Sequence, residues 1–353
     1  MKDFTYTGLP AKVIFGSGTV GRLTGEVDEL GIGRALVLTT PQQVDQGNEL
    51  VERLGGKSAG LFANAAMHTP VSVTNDAIQA FENLDADGIV SIGGGSTIGL
   101  GKAIALRTDA PQIVLPTTYA GSEMTTIIGQ TEDGEKTTQK TMKVLPETVI
   151  YDIDYTMSLP PVMSVTSGIN AIAHAVEALY AENSNPILNL MAEQGITALM
   201  RALPVITDEP ENRGARSDAA YGAWLCAVCL ATGGVALHHK LCHVLGGSFD
   251  LPHAETHTIV LPHALAYNAP AVEDAMASLR RATQSNTPAG SFYDLAKNGG
   301  AQVALKELGM AEQGIDQAVD ITLRNPYWNP RPLEEEGIRN IIRAAWAGDR
   351  PGY

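Results

Sequence analysis

Cysteine is scarce: Cys226, Cys229 and Cys242 are three thiols in 353 residues. A chain of that size does not need bridges to close its core, and so few thiols fit a reducing compartment. Positive charge is also short. Lys and Arg number 24 against 39 Asp and Glu, a net charge of −15. The resulting field repels phosphate, which argues against nucleic acid or an anionic membrane surface as a partner. A small anionic substrate is compatible with it only if cations are gathered locally. Long apolar runs are missing too. Met1-Lys2-Asp3-Phe4-Thr5 has no apolar segment of the signal-peptide kind. The stretch from Ala219 to Leu237 carries no charge, yet Gly222, Thr232 and Gly233-Gly234 interrupt it. It reads as a buried helix followed by a glycine turn, short of membrane length. These absences predict a cytoplasmic protein. At 44% hydrophobic and 18% charged residues, the chain is neither disordered nor collagen-like, and its length predicts two domains.

What is present divides the chain in two. Ala35-Leu36-Val37-Leu38-Thr39, Leu61-Phe62, Gly88-Ile89-Val90-Ser91-Ile92 and Ile113-Val114-Leu115 read as short buried strands. Val73 to Leu84 and Ile98 to Leu106 have helical spacing of apolar residues between them. Strand, helix, strand in succession predicts a doubly wound parallel sheet over residues 1–159. From Pro160-Pro161 onward the period changes to helical, as in Ile169 to Tyr180, Ile187 to Leu203 and Ile338 to Trp346, with Asn185-Pro186, Asn325-Pro326 and Asn329-Pro330 as punctuation. An all-helical domain is expected over residues 160–353.

Gly93-Gly94-Gly95-Ser96 follows a predicted strand and opens a helix running towards Lys102. It is neither the G-x-G-x-x-G fingerprint nor a P-loop. Small residues there let the backbone approach a pyrophosphate, and the helix start offers unpaired N–H groups at the positive end of its dipole. Pro116-Thr117-Thr118-Tyr119-Ala120-Gly121-Ser122-Glu123 brings hydroxyls to the same carboxyl edge of the sheet, where open α/β sheets bind ligands. Two such loops suggest a dinucleotide, with Thr39, Gly94, Gly95, Ser96, Thr117 and Thr118 as its candidate contacts. Thr39-Thr40-Pro41-Gln42-Gln43 contains no acid to hold the adenosine ribose or repel a 2′-phosphate, so NADH and NADPH both remain open.

Histidines gather in the second half. Asn170 and His174 are one turn apart, as are His239 and His243, and His253 follows Pro252. Histidines at such spacing converge on one ion or one substrate. Cys226-x-x-Cys229 sits inside an apolar helical stretch with no preceding strand, and reads as packing rather than redox chemistry.

The order and spacing of Gly93-Gly94-Gly95-Ser96, Pro116-Thr117-Thr118, Asn170 to His174-Ala175-Val176-Glu177, and His239 to His243-Val244-Leu245-Gly246-Gly247 through Pro252-His253 resemble the iron-containing alcohol dehydrogenase family over essentially the whole chain. Phe4-x-Tyr6-x-Gly8-Leu9-Pro10-Ala11, Met67-His68-Thr69-Pro70 and Asn325-Pro326-Tyr327-Trp328-Asn329-Pro330-Arg331-Pro332 resemble the branch of it that reduces maleylacetate. The resemblance implies an α/β nucleotide-binding domain, an all-helical domain, an active site in the cleft between them, and a homodimer joined through the N-terminal strand. It places the family's metal ligands on Asn170, His174, His239 and His253, and its non-ligand catalytic histidine, the expected proton donor, on His243. Asn170 departs from the family's Asp, the single anionic ligand, and Gly99 from a usual Asp in the glycine loop. An amide oxygen binds hard cations far less well than a carboxylate does, so no metal is expected.

Loss of the ion suits the implied substrate, a dicarboxylate with a carbon–carbon double bond conjugated to a ketone. Imidazole donors stabilise an enolate and deliver a proton. Lys140, Lys143, Lys240, Arg324 and Arg331 are candidate cations for its carboxylates. A metal-dependent alcohol or polyol dehydrogenase is the near alternative, and a non-catalytic nucleotide sensor the distant one, against which a retained His243 argues.

Overall fold

The computed structural model describes residues 3–132 and 135–353. They fall into two compact units, Leu9–Leu159 and Pro160–Tyr353, the second joined by the N-terminal segment that ends at Gly8. That segment was expected within the first domain. Residues 3–11 form no strand, and Pro10, which cannot donate to a ladder, precedes the first one.

The α/β unit runs β1 (Lys12–Gly16), α1 (Leu23–Glu29), β2 (Ala35–Leu38), α2 (Val44–Leu54), β3 (Ser58–Phe62), α3 (Val71–Asn83), β4 (Gly88–Gly93), α4 (Gly95–Thr108) and β5 (Gln112–Pro116). A hairpin of β6 (Ile127–Glu132) and β7 (Glu135–Lys140) and then β8 (Thr148–Asp152) complete it. Six strands form one sheet in the order β1-β8-β5-β4-β2-β3, every pairing parallel. Alternation along the strands sorts the core into two layers. Ala35 and Val37 join Leu23, Val27 and Leu50 on one face, while Leu36 and Leu38 join Ala77, Phe81, Leu100 and Ile104 on the other. β3 lies on one side of β2 and β4 on the other, so the topological switch falls between β2 and β4. Their carboxyl ends are where such a sheet takes a ligand.

The helical unit holds α5 (Pro161–Tyr180), α6 (Pro186–Asp208), α7 (Arg213–Thr232), α8 (Leu237–Phe249), α9 (His253–Asn268), α10 (Glu273–Thr283), α11 (Pro288–Asn298), α12 (Gly314–Arg324) and α13 (Glu335–Ala347). Pro161 and Pro186 occupy first turns, where a missing N–H costs nothing. Asn185 caps α6 by accepting from the backbone of Ile187 and Leu188, both at 3.1 Å. By length and composition α5 is apolar enough to cross a membrane, yet it is buried from Ser164 to Tyr180 among the other helices of this unit. The uncharged stretch from Ala219 to Leu237 breaks where the sequence predicts, and α7 and α8 meet there at 93°. Cys226 and Cys229 are buried on α7, and burial pushes both thiols up, Cys229 to about 12. They are packing residues.

Candidate active site

The glycine loop closes β4. Gly93 has φ +152°, and a Cβ there would run into the Thr97 side chain, so glycine is required. Gly94 lies against Thr118, whose methyl and hydroxyl would both stand 3.0 Å from an added Cβ. Gly95, the first residue of α4, has no atom within 4 Å of that position, leaving open space beside the helix N-terminus. The neighbouring strand ends are tied to it. Thr117 donates its N–H to the carbonyl of Gly93 at 3.0 Å, and Gln43, after β2, donates Nε2 to the Thr117 hydroxyl at 3.1 Å. Thr39 is fully buried at the end of β2. Thr39, Gly94, Gly95, Ser96, Thr117 and Thr118 thus line the carboxyl edge of β2, β4 and β5 around the switch point. Gly99 has its own reason to lack a side chain: a Cβ would meet the Thr69 hydroxyl, which occupies that space.

The histidine site is built in the helical unit. Asn170 and His174 face the same way one turn apart on α5, and His174 stacks on His239 of α8 with ring centroids 5.2 Å apart at 28°. All three are nearly inaccessible, and Asn170 Oδ1, His174 Nδ1 and His239 Nε2 have no hydrogen-bond partner. Burial first, then the nearby His239 and His253, holds the His174 imidazole well below its ordinary value, so it is neutral at pH 7. His253 opens α9, is exposed, and has its ring 4.2 Å from His257.

Glu177, one turn beyond His174, is the residue whose role the sequence did not disclose. The first residues of α8 have no side-chain cap of their own. Instead the fully buried Glu177 carboxylate accepts from the backbone N–H groups of Ala236 and His238, both at 2.7 Å, and from His239 Nδ1 at 2.6 Å. One carboxylate therefore caps α8, sets the tautomer of His239 and aims its Nε2 away from Glu177. Glu177→Leu would strand three donors, and the expected loss of stability is about 3–5 kcal/mol. Urea unfolding checks it, and a loss under about 1 kcal/mol would show that α8 is held by other means.

Three further buried residues form the floor. His238 Nε2 lies 3.0 Å from His257 Nδ1 and 3.7 Å from Cys242 Sγ. Their ligand atoms lie within 4.8 Å of one another, a spacing that would also suit an ion, but in this arrangement they are engaged with each other. His243, one turn after His239 on α8 with its ring centroid 6.1 Å from that of His239, is exposed, and its Nδ1 lies 3.0 Å from the Tyr327 hydroxyl. Tyr327 belongs to the Asn325 to Pro332 loop, anchored by a reciprocal amide pair between Asn268 and Asn329 at 2.8 and 2.9 Å. Lys240 Nζ lies 5.4 Å from the Tyr327 ring centre, and burial holds its ammonium below the ordinary value.

The profile described as "Iron-containing alcohol dehydrogenase" matches residues 10–153, and "Fe-containing alcohol dehydrogenase family, C-terminal" matches residues 164–346. The chain belongs to the iron-containing alcohol dehydrogenase family. It is 53% identical over 349 residues to the maleylacetate reductase of Sphingobium indicum, covering 99% of each chain. It is 51% identical over 351 residues to that of Rhizobium sp., covering 99% of this chain and 100% of that one. The crystal structure of maleylacetate reductase from Agrobacterium tumefaciens matches at 50% identity with a TM-score of 0.96, over 99% of this chain and 100% of that one. The chain is accordingly an NAD(P)H-dependent oxidoreductase.

The two groups implied by the family fit its residues unequally. The open space at Gly95, beside a free helix N-terminus, fits a dinucleotide phosphate. Gly95→Val is expected to fold normally and to lower NADH affinity by about tenfold or more, roughly 1.4 kcal/mol. A fluorescence titration showing unchanged affinity would move the cofactor elsewhere. Iron fits poorly. Three imidazoles and the amide of Asn170 offer no anionic ligand, and the nearest carboxylate, Glu177, is committed to α8 and His239.

Proposed function

We propose that this chain reduces the conjugated double bond of maleylacetate to 3-oxoadipate with NADH or NADPH, without a metal ion, in the breakdown of aromatic compounds. The observation that carries the metal-free reading is Asn170: a neutral amide, buried and unpartnered, stands where the family places its one anionic ligand. A bound nicotinamide cofactor supplies a hydride to the substrate carbon β to the ketone. Charge then gathers on the ketone oxygen as an enolate, and a proton must reach the α carbon to restore the ketone. Glu177 fixes the orientation of His239, and the unpartnered Nε2 on the far side of that ring is offered to such an oxygen as a donor whenever it carries a proton. His243 is the proton donor in this reading. Where the Tyr327 hydroxyl donates to Nδ1, the hydrogen of a neutral His243 ring is on Nε2, the nitrogen that would donate it.

The test follows NADH absorbance with maleylacetate before and after a strong chelator, together with metal analysis of the purified protein. Turnover that survives chelation in metal-free protein supports the reading. A second reading, a metal-dependent alcohol or polyol dehydrogenase, is favoured by the three unpartnered ligand atoms on Asn170, His174 and His239. One tightly held ion per chain, with activity lost to the chelator, would establish it. We further propose a cytoplasmic homodimer joined through the N-terminal segment. Sedimentation of the intact chain against one truncated before Leu9 checks the dimer.

A further inference from the structure

A protein of net charge −15 needs one well-placed cation to receive a dianion. Four of the five cations singled out in the sequence are poor candidates. Lys143 pairs with Asp109 at 3.4 Å, and Lys140 and Arg324 are exposed. Arg331 donates to the Tyr267 carbonyl at 2.8 Å and lies 4.1 Å from the centre of that ring, holding its loop to α9. Lys240 differs from all of them. It is only 8% exposed, adjacent in sequence to His239 and one turn before His243 on α8. Among the described residues no carboxylate pairs with it, and no hydrogen-bond acceptor meets its Nζ. The Tyr327 face offsets part of the desolvation of its charge.

A lysine held with most of its side chain covered and no anion at its ammonium forms no ion pair that would explain it as a stabilising element. We propose that Lys240 binds a carboxylate of the substrate, with the Tyr327 ring as one wall of that subsite. The assignment rests on the reading of the chain as a reductase of an unsaturated dicarboxylate. It makes Lys240 the specificity-determining residue that favours dianions over neutral aldehydes and ketones, for which its ammonium would remain unpaired. Because Tyr327 also contacts His243, the same loop ties carboxylate recognition to the proton donor.

Lys240→Met and Lys240→Arg separate charge from shape. With NADH, the Met variant is expected to raise KM for maleylacetate by about 30-fold or more, the effect of losing one partner of a buried charge pair, with kcat changed far less. The Arg variant should recover part of that loss. Turnover of the dimethyl ester of maleylacetate should be the same in the Met variant and the natural protein, and the Met variant should melt no lower. Unchanged KM for maleylacetate, or an equal loss with the dimethyl ester, overturns the assignment while leaving the reductase reading in place. No maleylacetate turnover by the natural protein overturns the reductase reading itself, and the role of Lys240 with it.

Discussion

His243→Ala is expected to lower kcat for maleylacetate reduction by roughly 10²–10⁴-fold, the usual contribution of a positioned proton donor. The ring is exposed, with its Nδ1 3.0 Å from the Tyr327 hydroxyl. Its removal should therefore leave the melting temperature and NADH affinity close to those of the natural protein. Tyr327→Phe tests the supporting contact separately. It leaves the imidazole in place but frees Nδ1, so a smaller loss is expected, with the pH dependence of kcat displaced because the hydroxyl no longer favours one tautomer. Natural turnover in His243→Ala would remove this residue from the mechanism. An equal loss of turnover and stability would mark it as structural.

Much of this was legible in the sequence where one physical signal dominates. β2, β4 and β5 are short apolar runs buried on both faces and bounded by turn residues. Short apolar runs bounded by turn residues are what a parallel strand covered on both faces requires. α5 and α6 were clear because helical periodicity persists over several turns. β1 and β8 were not read as strands. They pair with each other, 136 residues apart, and are polar-flanked runs of five residues whose partnership is settled only in the sheet. The β6–β7 hairpin, rich in Thr, Lys and Glu, carries too little apolar alternation to announce itself.

The site divides in the same way. Spacing of one helical turn brought Asn170 to His174 and His239 to His243, because such spacing fixes which residues share a face. What spacing cannot show is a partner on another helix. Glu177 lies in a quoted motif, yet its task depends on α8 starting where its carboxylate waits, some sixty residues later in the chain (59 and 61 for its two backbone donors). His257 stands one turn after His253, a signal that was available. His238 and Cys242 carry the same one-turn spacing, but the contact of His238 with His257 on another helix has no mark in the sequence.

Asn170→Asp is expected to create a working ion site where the natural protein has a weak one or none. The exchange is nearly isosteric at a position only 2% exposed, so packing should survive. Without an ion, the new carboxylate would be buried beside the neutral His174 imidazole, with Glu177 two turns on in the same helix, and its desolvation is uncompensated. The metal-free variant should therefore melt below the natural protein. Zn²⁺ or Fe²⁺ supplies the missing charge, and three imidazoles complete the set. Stability should then climb with ion concentration, reaching about 2.7 kcal/mol of stabilisation at one hundred times Kd. The ion should also inhibit reduction of maleylacetate, because it would occupy the place that the proposed reaction gives to the substrate or its enolate. Calorimetric titration of both proteins decides the matter. Binding to the variant at least about tenfold tighter is the expected result, a difference of roughly 1.4 kcal/mol that is small for adding a charge beside a divalent ion. Equal, tight binding by the natural protein would mean that the amide of Asn170 never disarmed the site, and that the metal-dependent dehydrogenase is the better reading of this fold.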